Sequence, residues 1–141
     1  TQGVSSAASD VYKRQLFHGI AIKPGKPTML ARIEGRPVIG MPGNPTSCLS
    51  NGYLLLAPAA AALAGRAPFR HSTVRARLIE DLRGPVDKMQ ACMVGLVGGE
   101  AASVFKESGT ITSMSRADGF VTLPVGVERL EAGQEVEVTL L

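Results

Sequence analysis

The tetrapeptide Pro42-Gly43-Asn44-Pro45 constrains this chain more than any other feature. Its two prolines lack an amide hydrogen, so neither a strand nor a helix interior runs through it. Asn44 is a preferred N-cap and Pro45 is suited to the first helical position behind it. Beyond it Leu49, Tyr53, Leu56, Ala60 and Leu63 recur at three- and four-residue steps, predicting a helix with one apolar face. Gly65, followed by Arg66 and Pro68, is a natural stop, and Pro58 should kink the helix or split it in two. Ahead of the turn, PVIGM (37–41) reads as a short strand. Strand, glycine-rich turn and helix make one α/β unit.

Upstream, LFHGIAI (16–22) is a strand candidate, broken by PGKP (24–27). TMLARI (28–33) and the turn EGR lead back to PVIGM. After APFRH the texture changes to short segments: STVRARLI, MQACMVGL, ASVFK, GFVTLP and QEVEVTLL. Val74, Ala76 and Leu78 share one face of a strand, as do Val136, Val138 and Leu140. Four to six such strands predict a small barrel or sandwich. The expected fold class is therefore α/β followed by all-β, with units at 16–66 and 72–141. Residues 1–15, TQGVSSAASDVYKRQ, are polar without a sustained period and read as a tail carrying no chemistry.

Composition narrows the function classes. With 45% hydrophobic and 19% charged residues the chain is globular rather than disordered. Without Trp and with 4% aromatics, its core must come from Val, Leu, Ile, Ala and Met. The 16 glycines and 9 prolines argue for many turns and against a helical bundle. A net charge of +3 is too mild to signal nucleic acid. No apolar run reaches the roughly 18–20 residues that span a membrane, and no signal-peptide layout is present. The chain thus reads as soluble and cytoplasmic and, lacking an initiating Met, as a piece of something longer. Cys48 and Cys92 read as two buried thiols in a reducing compartment. His18 and His71 lack partners at metal-ligand spacing, so no metal site is expected in this chain. No nucleophile-elbow or Ser-His-Asp pattern is found, so no catalytic residue is assigned.

Three motifs carry possible chemistry. In AIKPGKP (21–27) Lys23 and Lys26 sit three apart on a proline-stiffened loop that could hold both ammonium groups toward one polyanion; a solvated basic turn is the simpler alternative. In MPGNPTS (41–47) the helix start offers free amides, Gly43 permits close approach, and Thr46 and Ser47 offer hydroxyls. The alternative is that Asn44 merely caps its own helix. In FKESGTITSMSRADG (105–119) Ser108, Gly109 and Thr110 form a polar turn able to bind an oxyanion, or an ordinary hairpin. Asp118 is expected to bond its own turn backbone. Glu80, Asp81 and Asp87 with Arg83 and Lys88 read as a solvated loop.

Taken together, FHGIAIKPGKP, VIGMPGNPTSCLS, FKESGTITSMSRADGFVTLP and the closing AGQEVEVTLL resemble the molybdopterin molybdenumtransferase family, the MoeA / gephyrin E-domain proteins. TSCLSNGYLLLAP and VFKESG are most similar to archaeal-type members. The resemblance covers residues 16–141. It implies the end of a molybdopterin-binding α/β domain followed by a small C-terminal β-barrel-like domain, MoeA domain IV. It also implies the family reaction: insertion of molybdate into adenylyl-molybdopterin with release of AMP, aided by a divalent cation, usually Mg2+. Family members are four-domain homodimers acting on small molecules, without nucleic acid or membrane. By this resemblance Lys23 and Lys26 neutralise substrate charge, Gly43, Asn44 and Ser47 form the turn beside it, and Ser108 with Gly109 binds molybdate.

The match has departures. The family pattern G-R-x-x-F is replaced by GPVDKMQACMVGL, so Lys88 stands where an arginine is expected, or the arginine is absent. TQGVSS faintly resembles a T-G-G-V-S turn, but ASDVYKRQ lacks the acidic residue and helix that follow in the family, and looks non-native. The family's cation-binding carboxylates lie upstream of the matched text. The isolated chain is accordingly expected to turn over little or nothing. The other function class open to it is a non-catalytic anion-binding or oligomerisation module.

Overall fold

The computed structural model describes residues 14–104 and 115–141. Strands β1 (Gln15–His18), β3 (Met29–Ile33) and β4 (Arg36–Gly40) form an antiparallel sheet in the order β1-β3-β4. The hairpin between β3 and β4 turns on Glu34 and Gly35, both at positive φ, as a tight two-residue connection requires. The predicted strand 16–22 is two pieces, since Gly19 at φ +94° interrupts it. The second piece, β2 (Ile22–Lys23), leaves this sheet and pairs in parallel with Met89 and Gln90.

After Pro42-Gly43-Asn44 the helix begins as expected. Helix α1 (Pro45–Asn51) passes into a π-helical segment (Gly52–Leu56) and then into helix α2 (Ala57–Leu63). The change of winding precedes Pro58. That residue has no amide to donate, and the amide of Ala57 before it reaches back five residues to the Gly52 carbonyl.

The apolar stripe behaves differently from expectation. Leu49, Leu56 and Leu63 are 50%, 44% and 69% exposed, whereas Thr46, Ser47, Ser50 and Asn51 are buried. Periodicity marks a face but not what covers it. Here the small polar face is satisfied locally, Ser47 by Asn44 and Ser50 by the Ser47 carbonyl, while Asn51 bonds the Gly25 loop. Of the predicted stripe, Tyr53 packs inward, beside Leu54, against Phe120.

The C-terminal strands are β5 (Thr73–Leu78), β6 (Leu82–Arg83), β7 (Met89–Val97), β8 (Glu100–Ser103), β9 (Gly119–Leu123), β10 (Arg129–Leu130) and β11 (Glu135–Leu140). Five of them close a ring in the order β7-β8-β5-β11-β9, with β9 returning to β7. The barrel expected from the short segments is therefore present. Its interior holds Ala76 and Leu78 of β5, Cys92 and Val94 of β7, Val121 and Leu123 of β9, and Val136 and Val138 of β11. Val74, expected on the same face as Ala76, is 37% exposed near the start of β5. Strand β7 is buried on both faces. Its other side, Ala91 and Met93, joins Phe120 beneath Tyr53 and Leu54. At the barrel corner a Cβ on Gly119 would overlap the Thr139 carbonyl oxygen and contact Val138, so glycine permits β9 and β11 to meet there.

Candidate functional site

The loop carrying Lys23, the start of α1 and the barrel enclose a cleft of about 450 Å³. Each wall has a local cause. Strand β2 adds to the edge of β7, which sets Lys23 beside Gln90, and a cis Lys23–Pro24 peptide turns the chain into the loop. Asn44 caps α1: its Oδ1 accepts from the Ser47 amide at 3.2 Å and from the Ser47 hydroxyl at 3.4 Å. That brings Asn44, Thr46 and Ser47 to the cleft. Asp81, Leu82 and Arg83 at β6, which pairs with β10, also line it, as do Gln90 to Met93 of β7.

The charges facing this space are Lys23, Arg83 and Asp81. Asp81 is already engaged. It accepts from the Ala132 amide at 3.0 Å, and its other oxygen lies 2.8 Å from Arg129 and 3.9 Å from Arg83. The Ala132 amide first, then the Arg129 guanidinium, holds its carboxyl below the ordinary carboxylate range. A depressed carboxyl stabilises the fold above its unfolded pKa and loses that contribution as pH falls through the folded value. With Asp81 balanced by Arg129, Lys23 and Arg83 leave the described lining net positive. Gln90 donates to the Arg83 carbonyl at 3.1 Å and to the Cys92 sulfur at 3.3 Å. Burial pushes the Cys92 thiol above its ordinary pKa, so it stays neutral at physiological pH.

The expected site residues divide into three groups. Lys23, Asn44 and Ser47 line the cleft together. Lys26 is exposed on the loop and Gly43 is exposed ahead of the cap; neither lines the cleft. Lys88 also lies off it, its ammonium 2.6 Å from Asp87. The Lys88 hydrogen bond first, and more weakly the charge of Lys26, lowers the Asp87 carboxyl. Ser108 and Gly109 lie outside the described residues.

Reading the sequence missed Arg83, taken there for part of a solvated loop, as well as Gln90. Arg83 lines the cleft from β6, whose partner β10 is far away in sequence, and no local signal marks that pairing. Asp118 makes a contact that local reading does not supply. It accepts from the Leu96 amide at 2.7 Å, tying the β9 corner to β7. Among the described residues no three of His, Cys, Asp and Glu come together as metal ligands. Nor is any described helix long and apolar enough to cross a membrane.

An α/β segment packed on a closed five-stranded barrel, with Lys23, Arg83 and helix-start hydroxyls lining the cleft they form, places the chain among proteins of mixed α/β and β-barrel fold. Comparison with known proteins specifies which. Residues 57–141 match the model of the MoeA C-terminal region (domain IV), and residues 2–62 match that of a probable molybdopterin binding domain. The chain belongs to the MoeA family. The molybdopterin biosynthesis moea protein from Pyrococcus horikosii superposes with a TM-score of 0.81 at 44% identity, over 94% of this chain and 34% of that one. A molybdenum cofactor biosynthesis protein from Pyrococcus furiosus gives 0.79 at 31% identity, over 90% of this chain and 45% of that one. A molybdopterin molybdenumtransferase of Staphylococcus aureus is 28% identical over 130 residues, 89% of this chain. The chain spans 31% of the length of that relative.

Proposed function

We propose that this chain serves molybdenum cofactor biosynthesis, and that its cleft is part of the seat where molybdate meets adenylyl-molybdopterin and AMP is released. The observation that carries this reading is the meeting of Lys23, Ser47 and Arg83 in one cleft. An oxyanion needs positive charge and short donors converging on it: a lysine and a guanidinium supply charge, and the Ser47 hydroxyl donates when it rotates from Asn44 Oδ1 to the anion. Family membership supplies the identity of the oxyanion.

In this reading the units are 16–66 and 72–141, an α/β part and a domain IV part; the two matched regions overlap within residues 57–62. Ser108 and Gly109 are proposed as further molybdate ligands and Lys26 as an outer charge drawing anions in. A homodimer and a divalent cation belong to the proposed full assembly. The residues described here do not fit that cation. Asp81, the one carboxylate lining the cleft among the described residues, spends its oxygens on Ala132, Arg129 and Arg83. With no metal-ligand cluster among the described residues, the chain alone is expected to bind molybdate weakly and to release AMP slowly or not at all.

Alanine at Lys23 and at Ser108 should each weaken molybdate binding about tenfold, the loss expected for one charge-assisted or well-aligned hydrogen bond. Calorimetric titration reads this directly. Unchanged affinity in both variants would leave the fold without the chemistry.

One observation favours a second reading, an oligomerisation module: the exposed row Leu49, Leu56 and Leu63 on the helical segment. Light scattering after size exclusion separates the two. A defined dimer that dissociates on Leu56→Ser would support assembly, and a monomer binding molybdate would support the seat alone.

A further inference from the structure

The loop that carries Lys23 and Lys26 hangs on one buried side chain. Asn51, the last residue of α1, is fully buried. Its amide nitrogen donates to the Gly25 carbonyl at 3.2 Å and to the Thr28 hydroxyl at 2.6 Å. The Thr28 hydroxyl in turn donates to the Gly25 carbonyl at 2.8 Å, and the Thr28 amide donates to the same oxygen at 3.1 Å. The Gly25 carbonyl thus receives three donors, and the direction of the chain is fixed from Asn51 to Thr28 to Gly25. An amide is needed at its head, because a carbonyl can only accept. The contact is close: at φ +121° Gly25 has no room for a Cβ, which would overlap the Asn51 amide. The Asn51 Oδ1 is buried with no partner among the described residues, so both hydrogen bonds of this costly side chain go to the loop.

Helical geometry gives this clamp its consequence. Ser47 and Asn51 are four residues apart, on the same face of α1. Ser47 lines the cleft, and Asn51 one turn on grips the loop whose Lys23 lines the same cleft. We propose that Asn51 is a positioning residue for the anion seat, fixing the lysine loop against the helix so that Lys23 and Ser47 face one oxyanion. It touches no ligand itself. This role rests on the reading of the cleft given above.

The test is calorimetric titration of molybdate into the full chain carrying Asn51→Leu, Thr28→Val, Thr28→Ser or Lys23→Ala. Asn51→Leu, of similar branched shape but bulkier and without donors, is expected to raise Kd about tenfold while the stoichiometry stays at the parent value. Thr28→Val should raise Kd by a smaller factor, and Thr28→Ser, which keeps the hydroxyl, should restore parent affinity. A merely structural role would lower the stoichiometry in step with the unfolded fraction and leave Kd unchanged. Should Asn51→Leu not fold, the Thr28→Val and Thr28→Ser pair decides on the same criterion. Parent Kd in the Asn51 or Thr28→Val variants, with Lys23→Ala weakened, overturns the positioning role. Parent Kd in Lys23→Ala overturns the seat, and the positioning role with it.

Discussion

Phe120→Ala is expected to lower the unfolding free energy by about 3–5 kcal/mol, a large share of the roughly 5–15 kcal/mol that holds a domain together. Phe120 is 1% exposed and stands on the outer face of β9, among Ala91, Met93, Val104 and Ala117. Tyr53 and Leu54 of the π-helical segment close over it, and the His71 ring lies edge-on with its centroid 6.4 Å away. Neighbours from β7, β9 and the helical segment cannot all collapse into the space a ring leaves, so the cavity cost adds to the lost transfer energy. The same truncation loosens the helical segment from the barrel, and that segment continues α1, one wall of the cleft. Urea unfolding followed by circular dichroism measures the loss. A change under 1 kcal/mol would mean the helical segment is not packed on this face.

The second large effect concerns charge. Lys23→Glu removes an ammonium from the cleft and adds a second carboxylate to the lining that holds Asp81. A charge-assisted hydrogen bond contributes about 1.5–3 kcal/mol, and repulsion of the incoming anion adds to its loss. Molybdate affinity should therefore fall about 100-fold or more. Arg36→Glu changes the net charge equally, but Arg36 sits at the end of β4 farther from Pro42-Gly43-Asn44. At physiological salt, where screening acts over about 8 Å, it should leave the affinity within about twofold. Equal losses in the two variants would reduce the cleft to a general electrostatic effect.

What was legible in the sequence was mostly local. Asn44 could be read as a cap because its partner, the Ser47 amide, is three residues away. The closing strands could be read because Val136 and Val138 alternate with Glu135 and Glu137, which stay outside. Strand β7 was less transparent: with both faces buried, Ala91 to Val94 form an unbroken apolar run whose period says nothing about its neighbours. The side of the helix that would be buried was not legible either. Leu49, Leu56 and Leu63 mark the apolar face, yet the clamp on Gly25 requires the face of Ser47 and Asn51. Within the site, Lys23, Asn44 and Ser47 were identifiable from residue chemistry at two turns. Arg83 was not, because it lines the cleft from β6, whose partner β10 is far away in sequence, and Asp118 spans 22 residues to reach Leu96. Contacts between distant segments were the part that pattern could not supply.

The central claim is that one oxyanion sits between Lys23 and Ser47 with Arg83 facing it. Crystals soaked in molybdate and measured at the molybdenum absorption edge test this most directly. The account predicts an anomalous peak in the cleft, within hydrogen-bonding distance, about 2.7–3.2 Å from oxyanion oxygen to donor, of the Lys23 Nζ and the Ser47 Oγ. A cleft empty of anomalous density at saturating molybdate, or a peak solely on another surface, would contradict it.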